Sequence, residues 1–391
     1  PEKEASASSV GVEKNEVDSG VKAENEAEVN KSEQVNLSKD NQSEQLFLQR
    51  LEQMAVHENL YYDRTDLYNF HVSVKTNSLT VLAGMSGTGK TRLAELYAKA
   101  LNLGRDENYI IVPITPSYTE PADILGFLNF TTGIYSPTET GLVDLLLRAK
   151  DNPEQIFMVI FDEMNLSQIE HWFSPFISIL EIEEKNLHLY AKEAICHNRH
   201  QYPAQIPVYN NIIFVGTVNV DETTKDFSDR LLDRANLIKL RQLTFREIRE
   251  KTKNLAQNSS IDEAIIASPV ETMAAMPFSA YFLKWIQKVE KPFLIYTEEE
   301  IAFLEELHKL VNHFDVQKGV SLRIFRDIEE YIANISRLNT GELCFTRQLA
   351  IDFQIKQRVM SKLRGHEEQF GDLIGKCETA LYDDISGSEL K

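Results

Sequence analysis

Gly84 closes the apolar run "SLTVLAG", and the stretch "KTRLAELYAKALN" opens at Lys90. Between them Gly84, Met85, Ser86, Gly87, Thr88, Gly89, Lys90 and Thr91 spell G-x-x-x-x-G-K-[ST]. A buried strand, this loop and a helix in that order leave few folds open, and the flanking elements separate the pattern from a chance match. The glycines let the backbone curl so that several N–H groups converge on one concavity. The start of the helix adds its positive end. Lys90 is placed to reach the β- and γ-phosphates of a nucleoside triphosphate, and the Thr91 hydroxyl is placed to serve Mg²⁺. These eight residues are the candidate nucleotide-binding set.

The pattern around the loop repeats. "YIIVPI" (109–114), "IFMVIFDE" (156–163) and "NNIIFVGTVN" (210–219) read as further buried strands, so four are expected in all. "GLVDLLLRAKDNP" (141–153) and "WFSPFISILEI" (172–182) read as helices between them. Near-continuous apolar strands alternating with helices predict an α/β core whose parallel sheet is covered on both faces. After Leu240 this rhythm stops. "TEEEIAFLEELHKLVNHF", "LRIFRDIEEYIANISRL" and "QLAIDFQIKQRVMSKLRG", the last ending at Gly365, predict an α-helical lid domain. Residues 1–45 carry no aromatic side chain and many acidic and polar ones. They are expected as a disordered acidic linker, because they bury too little apolar area to offset ordering. Helical spacing sets in at Gln45, giving expected domains of 1–45, 46–240 and 241–391.

The net charge of −19 over 391 residues argues against a broadly basic, DNA-coating surface. Cys196, Cys344 and Cys377 are too few and too scattered for a disulfide framework, which points to a reducing cytoplasm. No stretch has the length and apolarity of a membrane span. The sequence opens on proline with no signal-peptide layout, so it is expected to be a fragment or a processed chain.

The strand "FMVIFDEMN" ends in Asp162 and Glu163. Carboxylates at the carboxyl end of a parallel strand lie where open α/β sheets bind ligands. Asp162 suits the Mg²⁺-holding role and Glu163 the base that polarises an attacking water. Asn219, at the end of the fourth strand, and Asn165 could hydrogen-bond the γ-phosphate and the water, although asparagine is also a common turn residue. Arg230 and Arg234 lie four apart, so a helix would put them on one face. An arginine aimed at a neighbour's nucleotide fits phosphoryl transfer. Taken alone, the pair reads better as a surface cluster with Asp229 and Asp233. "ICHNRH", with Cys196, His197 and His200 and with His188 upstream, lacks a second ligand pair and is expected to be a polar loop rather than a zinc site. The segment 259–282 is either a lid insertion or a partner surface.

Together these residues resemble the AAA+ ATPases, in particular the McrB-like and MoxR-like branches of the dynein-related group. "GMSGTGKTRLAELYA", "VIFDEMNLSQIEHWFSPFISILE" and "IIFVGTVNVDETT" carry the resemblance in the expected order from about Val74 to Asn236, with a weaker tail to about Gly365. "TEPADILGFLNFTTGIY" (119–135) resembles the extra hairpin those branches insert in the second helix. "FSDRLLDRAN" resembles their arginine-finger region, favouring Arg234 and then Arg230. "SLRIFRDIEEYI" resembles the lid segment carrying a second sensor arginine, which implies a nucleotide-binding Arg323 with Arg326 as rival.

The resemblance implies a homo-oligomeric ring, a hexamer, with nucleotide bound between subunits. It also implies a partner effector such as an McrC-like nuclease. DNA would be reached only through that partner or a domain before Pro1. A MoxR-type remodelling chaperone is the rival reading, and a nucleotide-gated scaffold without turnover is a third. McrB carries an aspartate and an arginine where this chain has Glu222 and Thr223. The departure favours ATP, with GTP as the alternative.

Overall fold

The computed structural model describes residues 40–76, 79–180, 184–220, 227–257, 277–290, 292–338 and 341–363. The expected acidic linker up to residue 39, Glu222, Thr223, Cys377, Gly365 and most of 259–282 lie outside the described residues. Helix α1 occupies 40–57, so it begins ahead of Gln45. Its opening turn buries polar residues, Ser43, Glu44 and Gln45, and an apolar period cannot register these.

Helix α2 (Arg64–Thr76) leads into β1 (Leu79–Gly84), and α3 (Lys90–Ala100) follows the loop. Then come β2 (Tyr109–Pro113), α4 (Ala122–Leu125), the hairpin β3 (Phe127–Asn129) and β4 (Ile134–Ser136), and α5 (Leu142–Asp151). Strand β5 (Phe157–Asp162) is followed by a 3₁₀ turn (Met164–Leu166), α6 (Ile169–Trp172) and α7 (Ser174–Ile179). The single helix expected at 172–182 is thus divided. Pro175 stands in the first turn of α7, the one place where its missing N–H costs nothing. The small hairpin β6 (Asn186–His188) and β7 (Gln205–Pro207) precedes β8 (Ile212–Asn219), α8 (Asp229–Leu232) and β9 (Asn236–Lys239).

Strands β2, β5, β8, β1 and β9 form one parallel sheet in that order. The fold class is therefore α/β, as expected, with one strand more than the four read from sequence. β9 holds only "NLIK", an edge strand with alternating burial and no apolar run long enough to announce it.

The helical region contains α9 (Phe245–Gln257), α10 (Ser279–Trp285), α11 (Glu298–Phe314), α12 (Leu322–Ala333) and α13 (Arg347–Gln354). Thr297 and Glu300 form a reciprocal capping box on α11, while Ser321 and Thr346 cap α12 and α13. α13 runs on into a π-helical turn (Ile355–Val359) and a 3₁₀ turn (Met360–Lys362).

Alternate residues of the central strands divide between two hydrophobic clusters, as the pleat requires. Leu82, Met158, Ile160, Ile213 and Val215 face α1, α2 and α3. Val81, Val159, Phe161 and Phe214 face α5, α6 and α7. The first cluster continues through Phe282, Trp285, Ile324, Ile328, Tyr331 and Val359. The helical region is thus packed into the same layer as α1–α3 and shares its core.

Candidate nucleotide site

The sheet register places the site before any side chain is considered. Gly84, the last residue of β1, pairs with Asn219, the last residue of β8, and Pro113 pairs with Asp162. The loop, Asp162 and Asn219 therefore share the carboxyl edge of the sheet, where ligands sit in open α/β folds.

Gly87 (φ 82°) and Gly89 (φ 80°) adopt left-handed conformations that residues with a Cβ resist. They curl the loop and let α3 begin with no side-chain cap. The first amides of α3 are left facing the loop. Lys90 is buried, and its ammonium donates to the carbonyls of Met85 (2.8 Å) and Gly84 (3.1 Å). Thr91 donates its hydroxyl to Asp162 Oδ1 at 2.5 Å.

Asp162 Oδ1 also accepts the Thr217 hydroxyl at 2.7 Å, and Thr217 Oγ1 in turn accepts the Glu163 backbone N–H at 2.9 Å. Glu163 sits at φ 55°, ψ 48°, a left-handed conformation for a residue with a side chain. Such strain survives only where neighbours enforce it and is concentrated at functional positions. Here the enforcement is the Thr217 bond on one side and close packing on the other. A Cβ at Gly216 would stand 2.1 Å from the Met164 sulfur, so glycine there makes room for the Met164 side chain to seat against β8. Asn219 Nδ2 donates to Glu163 Oε1 at 3.2 Å. Thr91, Asp162, Thr217, Glu163 and Asn219 are thus one hydrogen-bonded chain beside Lys90.

Asn165 has other employment than the expected contact with phosphate and water. Its amide donates to the Asn219 carbonyl (2.7 Å) and accepts from the Asn219 N–H (3.3 Å), and it is 5% exposed. Both ends of the side chain are used to hold the end of β8, so Asn165 positions Asn219.

The arginines lie elsewhere. β9 begins at Asn236, level with Thr80 and well short of Gly84, and Arg234 precedes it by two residues. The expected shared helical face is not formed, because α8 ends at Leu232; instead the Arg234 guanidinium donates to the carbonyl of Arg230. Burial and the nearby charge of Arg323 lower the pKa of Arg234. Arg323 therefore lies within electrostatic reach of Arg234, near the junction of α8 and α12. The same junction holds an ion cluster. Lys362 pairs with Asp233, and Arg358, in the π-helical turn, pairs with Asp327 at 2.7 Å. Arg326 is exposed on α12.

Two features proved unrelated to the site. Asn198 brackets the β3–β4 hairpin by bonding both the N–H and the C=O of Tyr135 at 2.9 Å, and the His197 ring packs on Gly133. The "ICHNRH" loop is therefore a clamp on that hairpin. A cleft of about 620 Å³ lies at the Ile212–Phe214 end of β8, the far end from Asn219.

Residues 80–235 match the AAA domain of the dynein-related subfamily. Over this stretch the chain is similar to AAA domains. Residues 277–389 match a second family, a domain of unknown function named DUF8727. No curated protein matches the chain. Among solved structures, the crystal structure of a presumed ATPase from Cytophaga hutchinsonii superposes with a TM-score of 0.52 at 13% identity, covering 87% of this chain and 94% of that one. At that identity the likeness concerns the fold alone. Among the described residues, no helix is long and apolar enough to cross a membrane.

Two residues at the site escaped the sequence reading. Thr217 could have been found, since it stands two before Asn219 on the same strand and so on the same face. Tyr62, whose hydroxyl donates to the Gly89 carbonyl at 2.8 Å, left no local signal.

Proposed function

We propose that the chain is a magnesium-dependent nucleoside triphosphatase that hydrolyses ATP in a homo-oligomeric ring and drives a separate effector, in the manner of McrB. The observation that carries hydrolysis, beyond binding, is the chain Thr91–Asp162–Thr217–Glu163–Asn219 beside the phosphate loop. It supplies oxygen donors for a metal, a base and a neutral amide within reach of one another. The Thr91 hydroxyl and the Asp162 carboxylate are hard oxygen ligands already in contact, which fits Mg²⁺ completed by phosphates and water. Bound there, the ion would neutralise charge on the β- and γ-phosphates.

Lys90 would leave its two carbonyl acceptors for the phosphates. Glu163 would accept the proton of the attacking water, and Asn219 would hold its carboxylate in line for that transfer. An arginine that serves another subunit's nucleotide has to stand away from its own phosphate loop. The place of Arg234 beyond the start of β9 is compatible with that. Arg323 near it would make a two-arginine clamp on the neighbour's γ-phosphate, a different use from contact with its own nucleotide. The ring, the effector and its identity as a nuclease rest on resemblance to McrB.

Phosphate release in a single turnover, with assembled rings and ATP or GTP, tests the reading. Release with ATP that is lost in Glu163→Gln supports it. Nucleotide bound without release, candidate effectors present, would leave a gated scaffold in its place. For the arginines, rings mixed from Arg234→Ala and Lys90→Ala subunits should recover activity that neither pure ring shows. No recovery would place Arg234 outside the neighbour's site.

A further inference from the structure

Tyr62 belongs to the short link between α1 and α2, yet it touches the phosphate loop. Its hydroxyl donates to the Gly89 carbonyl at 2.8 Å, and a Cβ built on Gly89 would stand 2.7 Å from that oxygen. The Gly89–Lys90 peptide is trans, so its C=O and N–H point in opposite directions. Holding the carbonyl on Tyr62 therefore aims the Lys90 N–H away from it, into the mouth of the loop. Lys90 is the first residue of α3, so this N–H points back towards the loop and not along the helix. The helix also uses this carbonyl, through Leu93 N–H at 2.8 Å, so the glycine carries two donors on one oxygen. Two donors polarise the peptide and strengthen the outward N–H.

The other side of Tyr62 is tied to α9. Its backbone carbonyl accepts the Lys251 ammonium at 2.8 Å. Next to it, Asp63 pairs with Arg241 at 3.1 Å, and Asp66 accepts the Arg241 N–H at 2.9 Å. The link thus joins the chain leaving β9 to the phosphate loop.

We infer that Tyr62 is a positioning residue: it orients the Gly89–Lys90 peptide toward bound phosphate and couples the loop to α9 through Lys251. This rests on the nucleotide-binding reading above and deepens it.

The test compares Mg·ATP with Mg·tripolyphosphate on the full chain and on Tyr62→Phe, which removes only the hydroxyl. Loss of this hydrogen bond predicts affinity weakened roughly threefold to tenfold for both ligands, with no more than a small fall in the melting temperature of the free chain. Loss confined to ATP would make Tyr62 a contact for the base or ribose and overturn the proposal. So would unchanged binding of both ligands by the variant. A full chain that binds neither ligand would instead remove the nucleotide reading itself. Adding Lys251→Met to Tyr62→Phe should cost less than the sum of the two single changes, because both act on one link. Strict additivity would overturn the coupling to α9.

Discussion

Two polar networks in this molecule are built alike. At the site, Asp162 Oδ1 collects the hydroxyls of Thr91 (2.5 Å) and Thr217 (2.7 Å). Between α1, α2 and the helical region, Glu44 Oε1 collects His71 Nε2 (2.8 Å), the Ser336 hydroxyl (2.7 Å) and the Lys75 ammonium. In each, one carboxylate oxygen gathers donors from elements far apart in sequence. The difference is charge. Among the donors to Glu44 is an ammonium, on a side chain even more buried than the carboxylate it neutralises. The donors to Asp162 are neutral hydroxyls, and Lys90 spends its own bonds on carbonyls of the loop. The first network is complete as it stands and serves to hold helices together. The second gathers neutral hydroxyls on an anionic-type oxygen ligand, which suits a pocket that a cation is to enter.

Changes at the two networks should therefore fail differently. The largest effect is expected at Glu163. Glu163→Gln keeps the side chain's size and an acceptor for Asn219 but removes the base. Turnover should fall by about 10²–10⁴-fold, while ATP affinity, read by titration calorimetry, stays near normal. Near-normal turnover would take Glu163 out of the base role and leave the site no more reactive than the Glu44 cluster.

Glu44→Ala comes next, and its effect is on stability. It leaves Lys75 buried without its counter-ion, which costs about 3–5 kcal/mol in comparable cases. Chemical denaturation would read the loss. The same cluster should make the fold acid-sensitive. Burial alone would raise the Glu44 pKa, but the charge of Lys75 and the hydrogen bond from His71 outweigh it and lower the value to about 2. A carboxylate depressed on folding contributes stability above its unfolded value near 4.5, and loses it as pH falls towards 2. Burial lowers the His71 pKa as well, so that ring is neutral in the fold and adds a loss that starts below about 6.5. Its Nε2 then carries the proton given to Glu44, and Nδ1 accepts from the Tyr97 hydroxyl at 2.8 Å. Stability should thus drop in two steps on acidification, and Glu44→Gln should remove the lower one. A variant that keeps the lower step would assign it to other carboxylates.

The two networks also differ in how well a sequence exposes them. The loop from Gly84 to Thr91 is contiguous, and its glycines are required by backbone angles that local sequence dictates. Asp162, Glu163 and Asn219 were legible because each ends an apolar strand, and a parallel sheet brings such ends together. Thr217 was within reach of the same logic, yet a hydroxyl inside an apolar run reads as β-branched filler. Nothing local marks Tyr62, whose partner lies twenty-seven residues on. The Glu44 cluster was invisible for a different reason. It is assembled by tertiary packing between residues up to 292 positions apart, and its polar opening turn resembles the polar sequence before it. Arg323 was assigned by its resemblance to a sensor arginine. Its place near Arg234 depends on how Lys362, paired with Asp233, docks the helical region on α8, which no periodicity encodes.

The smallest expected effect gives the sharpest comparison. Thr217 and Ser336 each donate one hydroxyl to a carboxylate oxygen, half-buried at Asp162 and buried at Glu44, and both bonds are 2.7 Å long. Thr217→Val and Ser336→Ala therefore delete the same interaction from the two networks. Each should cost about 1–3 kcal/mol for the polar groups left unsatisfied. In the Glu44 cluster His71 and Lys75 still hold the carboxylate, so the loss should appear in the melting temperature, with turnover per folded molecule unchanged. At the site, Thr217 also holds the Glu163 N–H in its left-handed turn. Losing that hold frees Glu163 to relax towards ordinary backbone angles and away from Asn219. Turnover should then fall roughly tenfold, while ATP affinity holds because Lys90 and the loop are untouched; Thr217→Ser should restore it. If Ser336→Ala slows turnover as much as Thr217→Val does, the networks are coupled, and the division between a sealed scaffold and a working site fails.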